Sequence, residues 1–277
     1  MADGTEAHAL LAGLAGAGTA PLDLAGAALA LASFDRPGVG FGWYRQHLGE
    51  LTDALGETAA SRNNDIAGCA GTLSAVMAER FGYRGDDLTY DDMQNANLMR
   101  VIERRRGLPV ALGILYIHAA RSQGWQAEGL NFPGHFLIRL QAAGGRAILD
   151  PFNGGRMLEA VDLRQLLTAI AGQDSGLLPD YYEPVTDRDI LLRLQNNILL
   201  RSVRQGAFER ALSVIDRMLL FAPDHVPLWR EAALVNARLE RMGAAIEALE
   251  RFVELAPSSE ERHEAAALLQ AWRGRLN

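Results

Sequence analysis

The hydrophobic period changes near the middle of the chain, and this change limits the possible folds most. Residues 109–124 place apolar side chains at helical spacing, and Pro109 suits the first turn because its missing N–H has no partner there. After Gly124 the period becomes two, which predicts strands at residues 125–130, 135–140 and 146–150, the last two joined by a turn at 142–145. The pattern predicts an α+β domain in which a helix packs on an antiparallel sheet.

The C-terminal third is helical and contains a repeat. Pro223 and Pro257 stand 34 residues apart, and each ends a helical pair with small and large residues at matching positions. The first pair carries Gly206, Ala211, Ile215 and Met218, and the second carries Trp229, Ala233, Ala245 and Leu249. This pattern resembles the tetratricopeptide repeat. Ser258 and Glu261 have capping-box spacing, which predicts a final helix over the apolar end of the array.

Composition narrows the possible partners. The 277 residues carry a net charge of −7, which gives no general attraction to nucleic acid or to an anionic membrane, so we expect a protein or peptide partner. The apolar run at residues 24–34 is too short to span a bilayer. Cys69 is the only cysteine, which excludes an internal disulfide and indicates a reducing, cytoplasmic setting. The six histidines lack metal-ligand spacing, so we expect neither a metal nor a cofactor.

His135 and Asp150 are the candidate catalytic residues. If Leu140 pairs with Gly145 across a four-residue connection, His135 lies opposite Asp150 with Cβ atoms about 5 Å apart. A slip of one residue would place the two on opposite faces of the sheet. A thiol hydrolase adds a cysteine at a helix N-terminus to such a pair, but Pro109 stands at that position and has no nucleophile.

Several short motifs together resemble one bacterial family. They are Tyr90, Asn95, Asn97-Leu98, Arg106-Gly-Leu-Pro109, Pro133-Gly-His135-Phe and Asp150-Pro-Phe-Asn-Gly-Gly155. With the repeats, they are similar to the transglutaminase-like proteins with a C-terminal tetratricopeptide region, named after an invasion regulator, which carry the same Gly-x-Pro in place of Gly-x-Cys. The resemblance covers about residues 40 to 260. It implies a papain-like core and an intracellular protein, and it implies neither transglutaminase nor protease activity.

We therefore predict three parts. Residues 1–40 form an N-terminal helical segment that is partly frayed over its first 20 residues, and residues 41–180 form the transglutaminase-like domain. Residues 187–277 form the all-α tetratricopeptide-type array with its capping helix. The boundary is placed in the Gly-, Pro- and Asp-rich stretch at 172–184.

Three functions stay open at this point. The favoured one is a non-hydrolytic protein-binding or regulatory module that uses the cleft or the array. The alternative is a hydrolase or acyl transferase in which His135 and Asp150 act as a general-base dyad. The third is a structural scaffold with no cleft ligand.

The candidate binding residues are Pro109, Asn153 and Arg106. The motifs that contain Arg106 and Asn153, and also Cys69, each have a structural interpretation beside the functional one. The run Arg104–Arg106 is expected to be a solvated helix end, or else to engage an acidic peptide or phosphate. Residues 153–155 predict a tight turn, or a nest of backbone N–H groups at the cleft edge. Cys69 is expected to be a small buried apolar residue, with a displaced nucleophile as the alternative.

Overall fold

A computed structural model describes residues 2–16, 18, 20–60, 65–172 and 176–276. The chain forms two compact units. Met1–Leu10 and Gly18–Leu194 make up the first unit, and Leu11–Ala17 and Gln195–Asn277 make up the second. The predicted domain bounds, 41–180 and 187–277, stay predictions.

In the described ranges, five α-helices precede the central helix of the first unit: α1 (Ala2–Leu14), α2 (Leu24–Ser33), α3 (Gly42–Ala59), α4 (Ile66–Ser74) and α5 (Leu98–Arg104). The helix α1 lies in the segment that the sequence predicted to be helical and partly frayed. Nine of the ten residues of α2 are buried, as its uniformly apolar sequence predicts, and Asp23 caps its first turn by accepting from the N–H of Gly26. The helix α4 continues as a π-helical segment, Ala75–Arg80.

The sequence from 92 to 106 has a helical pattern, but the structure divides this stretch into two pieces. A 3₁₀ turn, Met93–Ala96, leads into α5, and Asn97 between them has an extended backbone. The side chain of Asn97 accepts from the N–H of Arg100 and donates to the carbonyl of Ala32. These two hydrogen bonds favour a helix start at this point over an unbroken helix.

The helix α6 (Pro109–Ser122) and a five-stranded antiparallel sheet form the centre of the first unit. The strands are β3 (Gln126–Leu130), β4 (Ile138–Ala142), β5 (Gly145–Asp150), β6 (Arg156–Leu158) and β7 (Pro184–Val185), in the spatial order β6-β5-β4-β3-β7. A separate parallel pair joins β1 (Arg84–Gly85) to β2 (Arg106–Gly107). The strands β6 and β7 are too short to give a period in the sequence.

The register between β4 and β5 differs from the prediction by two residues. Ala142 pairs with Gly145 across a two-residue turn, and Leu140 pairs with Ala147 instead of Gly145. The turn residues Ala143 and Gly144 both have positive φ, as a tight hairpin requires. A slip of two residues keeps every side chain on its predicted face.

Phe136 fills the space between the helix and the sheet. A Cβ atom added at Gly113 of α6 or at Gly129 of β3 would overlap the ring of Phe136, so both glycines permit the close approach. On the other side, Leu130, Leu137, Leu163 and Leu167 form a core with Phe132 beneath α7 (Ala160–Ala171).

The three arginines at the end of α5 have separate roles, so the predicted solvated helix end is wrong. Arg104 pairs with Asp86 at 2.8 Å and donates to Asn95. Arg105 has a left-handed backbone, and its guanidinium lies 4.8 Å from the centre of the Tyr83 ring. Arg106 donates to the carbonyl oxygens of Gly82 and Arg105.

The C-terminal region consists of α8 (Asp187–Arg204), α9 (Phe208–Phe221), α10 (Val226–Arg238), α11 (Met242–Leu255) and α12 (Ser259–Leu276). The small residues Ala211, Ala233 and Ala245 are fully buried, which allows close helix packing. The predicted cap is present, because Ser258 and Glu261 hydrogen bond to each other ahead of α12. None of the helices in the described ranges combines the length and apolar character that a bilayer crossing needs.

We predict that Gly113→Ala destabilises the protein by about 1–3 kcal/mol, because the new methyl group must displace the buried Phe136 ring. Gly49→Ala in α3 is the control, since its Cβ meets no atom within 4 Å. That change should be neutral or stabilise the protein by up to about 1 kcal/mol. Urea unfolding of the two variants measures the difference in stability. Equal stability would show that the Phe136 ring does not pack against Gly113.

We also predict an acid-sensitive contribution from Asp86. Burial opposes its ionisation, but hydrogen bonds from Thr89 and Arg104 outweigh burial and lower the pKa from 3.8 to about 2. A lowered folded-state pKa contributes stability above the unfolded-state value, and this contribution is lost as the pH falls from near 4 towards 2.

Asp86→Asn should therefore be less stable than the wild type at pH 6, and the gap should close towards pH 2. Asp87→Asn, at an exposed neighbour, is the control for loss of one charge. Thermal unfolding across this pH range is the measurement. If the stability difference between Asp86→Asn and the wild type does not change with pH, the negative charge of Asp86 does not stabilise the protein.

Candidate functional site

His135 lies in the connection between β3 and β4, three residues before β4 begins. Its backbone is held by Arg193 of α8, which donates to the carbonyl of His135 at 2.7 Å and to that of Phe132 at 3.3 Å. The Arg193 guanidinium also lies 5.4 Å from the centre of the Phe136 ring. The sequence predicted that His135 begins a strand. In the structure the imidazole projects from a loop that Arg193 holds in place.

The imidazole and the carboxylate meet despite the changed register. The Nε2 atom of His135 lies 2.9 Å from Oδ1 of Asp150, the last residue of β5. Oδ1 also accepts from the N–H groups of Phe152 and Asn153, and Oδ2 accepts from the Asn153 side chain at 2.7 Å. Residues 150–153 therefore form a tight turn around the carboxylate, and these N–H groups bind Asp150 and not an external anion.

The electrostatic balance at Asp150 favours the carboxylate. Burial opposes its ionisation, but the hydrogen bonds from His135 and Asn153 outweigh burial and hold the pKa of Asp150 below its ordinary value. An ionised Asp150 accepts a hydrogen bond from Nε2–H, so the lone pair of the neutral ring is on Nδ1. Nδ1 makes no hydrogen bond within the described ranges, and the His135 side chain is 13% exposed. The ring can therefore accept a proton or a hydrogen bond at Nδ1.

An open cavity of about 670 Å³ is lined by Phe152 and Asn153, which contact His135 and Asp150, although neither member of the pair lines it. Phe152 forms part of its wall and contacts His135 edge to face, with ring centres 6.0 Å apart. Tyr90 packs on Phe152 from the side, with ring centres 5.9 Å apart. Two predicted binding residues, Arg106 and Asn153, line the cavity. We call it the dyad cleft; its lining consists of Ala78, Arg84, Gly85, Asp87, Leu88, Arg106, Phe152, Asn153 and Gly154.

The positions where a nucleophile was considered offer no activated group. Pro109 is buried as the first residue of α6, and no side-chain hydrogen bond caps that helix. Cys69 is 4% exposed, and burial, followed by the charge of Asp65, raises its pKa. Cys69 lines a different cavity with Thr72 and Trp125, which shares no lining residue with the dyad cleft.

Sequence reasoning missed two residues near the pair. Arg193 is 58 residues from His135 and carries no local signal of its role. Tyr116 lies seven residues after Pro109 and so on nearly the same face of α6, which is a signal that the sequence does contain. The Tyr116 hydroxyl is buried and has no hydrogen-bond partner in the described chain; burial and the charge of Asp150 raise its pKa.

Comparison with known proteins agrees with this architecture. Residues 42–196 match the transglutaminase-like superfamily, and residues 198–270 match the tetratricopeptide repeat. A UPF0162 protein of Xylella fastidiosa is 33% identical over 190 residues, which is 68% of each chain. A UPF0162 protein of Vibrio cholerae is 29% identical over 241 residues, covering 86% of this chain and 87% of that one.

A eukaryotic protein is similar to part of this chain. Human F-box only protein 21 is 28% identical over 178 residues, which cover 60% of this chain and 27% of that protein. The predicted fold, a transglutaminase-like α+β domain followed by a helical repeat array, is confirmed, and this pair of domains fits a role in protein interaction. The chain belongs to the transglutaminase-like superfamily and carries tetratricopeptide repeats at its C-terminal end.

Proposed function

We propose that this protein is a non-hydrolytic protein-binding and regulatory module that holds peptide segments of a partner in the dyad cleft and in the groove of the array. One observation carries the proposal: His135 and Asp150 are paired and oriented, while the helix that would present a thiol begins with buried Pro109. Acyl transfer through a thioester needs that sulfur. Peptide binding needs only the cleft.

The dyad cleft supplies suitable groups for a peptide. Phe152 offers aromatic surface in the lining, and the rings of Tyr90 and His135, which lie outside the lining, contact Phe152 edge to face. The open volume of about 670 Å³ argues against the scaffold alternative, which expects the cleft to be filled by side chains.

A second cavity lies in the repeat array, between α10, α11 and α12. It measures about 750 Å³, and Leu234, Leu249 and Phe252 provide apolar surface. Leu234 is 39% exposed there, although it is a large apolar residue. Exposed apolar surface in a concave groove favours protein binding. We call this cavity the array groove.

The cellular setting is part of the same proposal. A single buried thiol, Cys69, fits a reducing compartment, so we propose that the protein acts in the cytoplasm. Regulation would then follow from partner binding and not from turnover.

Partner capture tests the binding function. We expect His135→Gln and Leu234→Glu each to lower recovery of partners from a cell extract at least about fivefold, because loss of one central interface contact often costs more than 1 kcal/mol. Leu200→Glu is the matched control for Leu234→Glu, since Leu200 is an exposed leucine outside the groove. Quantitative mass spectrometry of proteins retained by immobilised full-length protein is the measurement.

The same experiment can contradict the proposal. Circular dichroism must first show that each variant is folded. If folded His135→Gln and Leu234→Glu retain the same proteins in the same amounts as the wild type, neither residue contributes to partner binding and the proposed function is wrong.

The free Nδ1 atom also supports a second candidate, a hydrolase or acyl transferase in which the dyad removes a proton from a bound water or hydroxyl. General-base catalysis of this kind contributes about 10²–10⁴-fold. If it operates, His135→Ala and Asp150→Asn should each reduce turnover of a nitrophenyl ester or fluorogenic peptide about 100-fold or more. Cys69→Ala is the control and should retain full activity. A wild-type protein inert towards a broad ester and peptide panel would remove this candidate.

A further inference from the structure

Two arginines of the dyad cleft stand side by side on the short parallel pair of strands. Arg84 of β1 is the direct register partner of Arg106 of β2, and Gly85 is the partner of Gly107. Residues paired directly across two strands project from the same face, and neighbouring strands lie about 4.8 Å apart. Both arginines line the cleft. The fold therefore places two arginine side chains at neighbouring positions of one wall.

Neither arginine has a carboxylate partner within the described chain. Arg106 uses Nη1 on the carbonyl oxygens of Gly82 and Arg105, which leaves Nη2 and Nε for a ligand. The Arg84 side chain is exposed and makes no hydrogen bond among the described residues. Arg104, two residues before Arg106, is by contrast paired with Asp86. Adjacent like charges on a ladder are unfavourable, and a bound anion removes that cost.

The rest of the lining distinguishes a carboxylate from a phosphate. Asp87 is the one acidic residue of the lining, so the wall has an excess of one positive charge, which suits a monoanion better than a dianion. Leu88, which is 95% exposed, and Phe152 add apolar surface to the lining.

We propose that Arg84 and Arg106 bind the side-chain carboxylate of an acidic peptide whose neighbouring residue is apolar, and that Phe152 places this segment beside His135. The proposal rests on the peptide-binding function proposed above and adds the chemical class of the ligand. Phe152 is the physical link, because its ring contacts His135 and also lines the wall that carries the arginines.

Fluorescence anisotropy with the full-length protein tests this charge preference. The probes are two fluorescein-labelled decapeptides of equal length, one alternating Leu with Glu and the other alternating Leu with Gln. We expect the Glu peptide to bind about tenfold more tightly at low salt, which corresponds to about 1.4 kcal/mol. The preference should shrink as salt rises, because the cleft is open to solvent.

Arg84→Gln removes one charge from an exposed position and should abolish most of the preference while leaving the fold intact. Arg164→Gln is the matched control, since Arg164 is an exposed arginine of α7 outside the cleft lining. The control should retain the wild-type preference for the Glu peptide. Arg106→Gln gives a second reading at the paired position, with unfolding measured in parallel because Arg106 also bonds to the backbone.

The outcomes separate this inference from the proposed function. If both peptides bind with equal affinity, or if Arg84→Gln retains the preference, the arginine pair is not a carboxylate site but the cleft still binds peptides. If neither peptide binds, peptide binding in the cleft and the inference both fail. Inorganic phosphate that displaces the Glu peptide far more effectively than acetate does would overturn the carboxylate assignment.

Discussion

The close packing of Phe136 against α6 and β3 is the constraint on which the site depends. Its ring occupies space that side chains at Gly113 and Gly129 would fill, and Arg193 covers it while holding the carbonyl of His135. Protein interiors tolerate little change in volume, so a ring held in this way fixes the backbone next to it. His135 is the neighbouring residue. The position of the imidazole therefore follows from core packing and not from the strand that it precedes.

The surroundings of Asp150 give the His135–Asp150 pair a structural role. Asp150 is almost fully buried, and every polar contact that it makes, including those from Asn153 and His135, offsets the cost of removing a carboxylate from water. Loss of one partner would leave a buried charge under-compensated, which costs several times more than an exposed hydrogen bond. A structural role and a binding role for the pair are thus compatible, because only Nε2 is used internally.

The sequence predicted elements with a long local period and missed those fixed by distant contacts. The helix α6, the hairpin of β4 and β5 and the repeats α9 to α11 were predicted because their apolar spacing is unambiguous. His135 and Asp150 were predicted to meet through a register that was wrong by two residues. They still meet, because a slip of two residues keeps each side chain on its face and the loop before β4 brings His135 to Asp150.

Arg193 could not be predicted, since its role depends on contacts 58 residues away. The different contacts of Arg104 and Arg105 likewise depend on Asp86 and Tyr83. The local pattern of charges does not predict these contacts.

The two cavities differ in charge, which limits how one partner can use both. The dyad cleft has two arginines against Asp87, whereas the array groove has Asp224, Glu261 and Glu264 against Arg230. In a chain with a net charge of −7, an acidic groove is ordinary and a basic cleft is not. Opposite charges select opposite segments, because complementary charge raises association rates and like charge excludes the wrong partner. If one partner engaged both cavities, it would have to present an acidic segment to the first and an apolar or basic segment to the second, and this double requirement would select partners more strictly than either cavity alone.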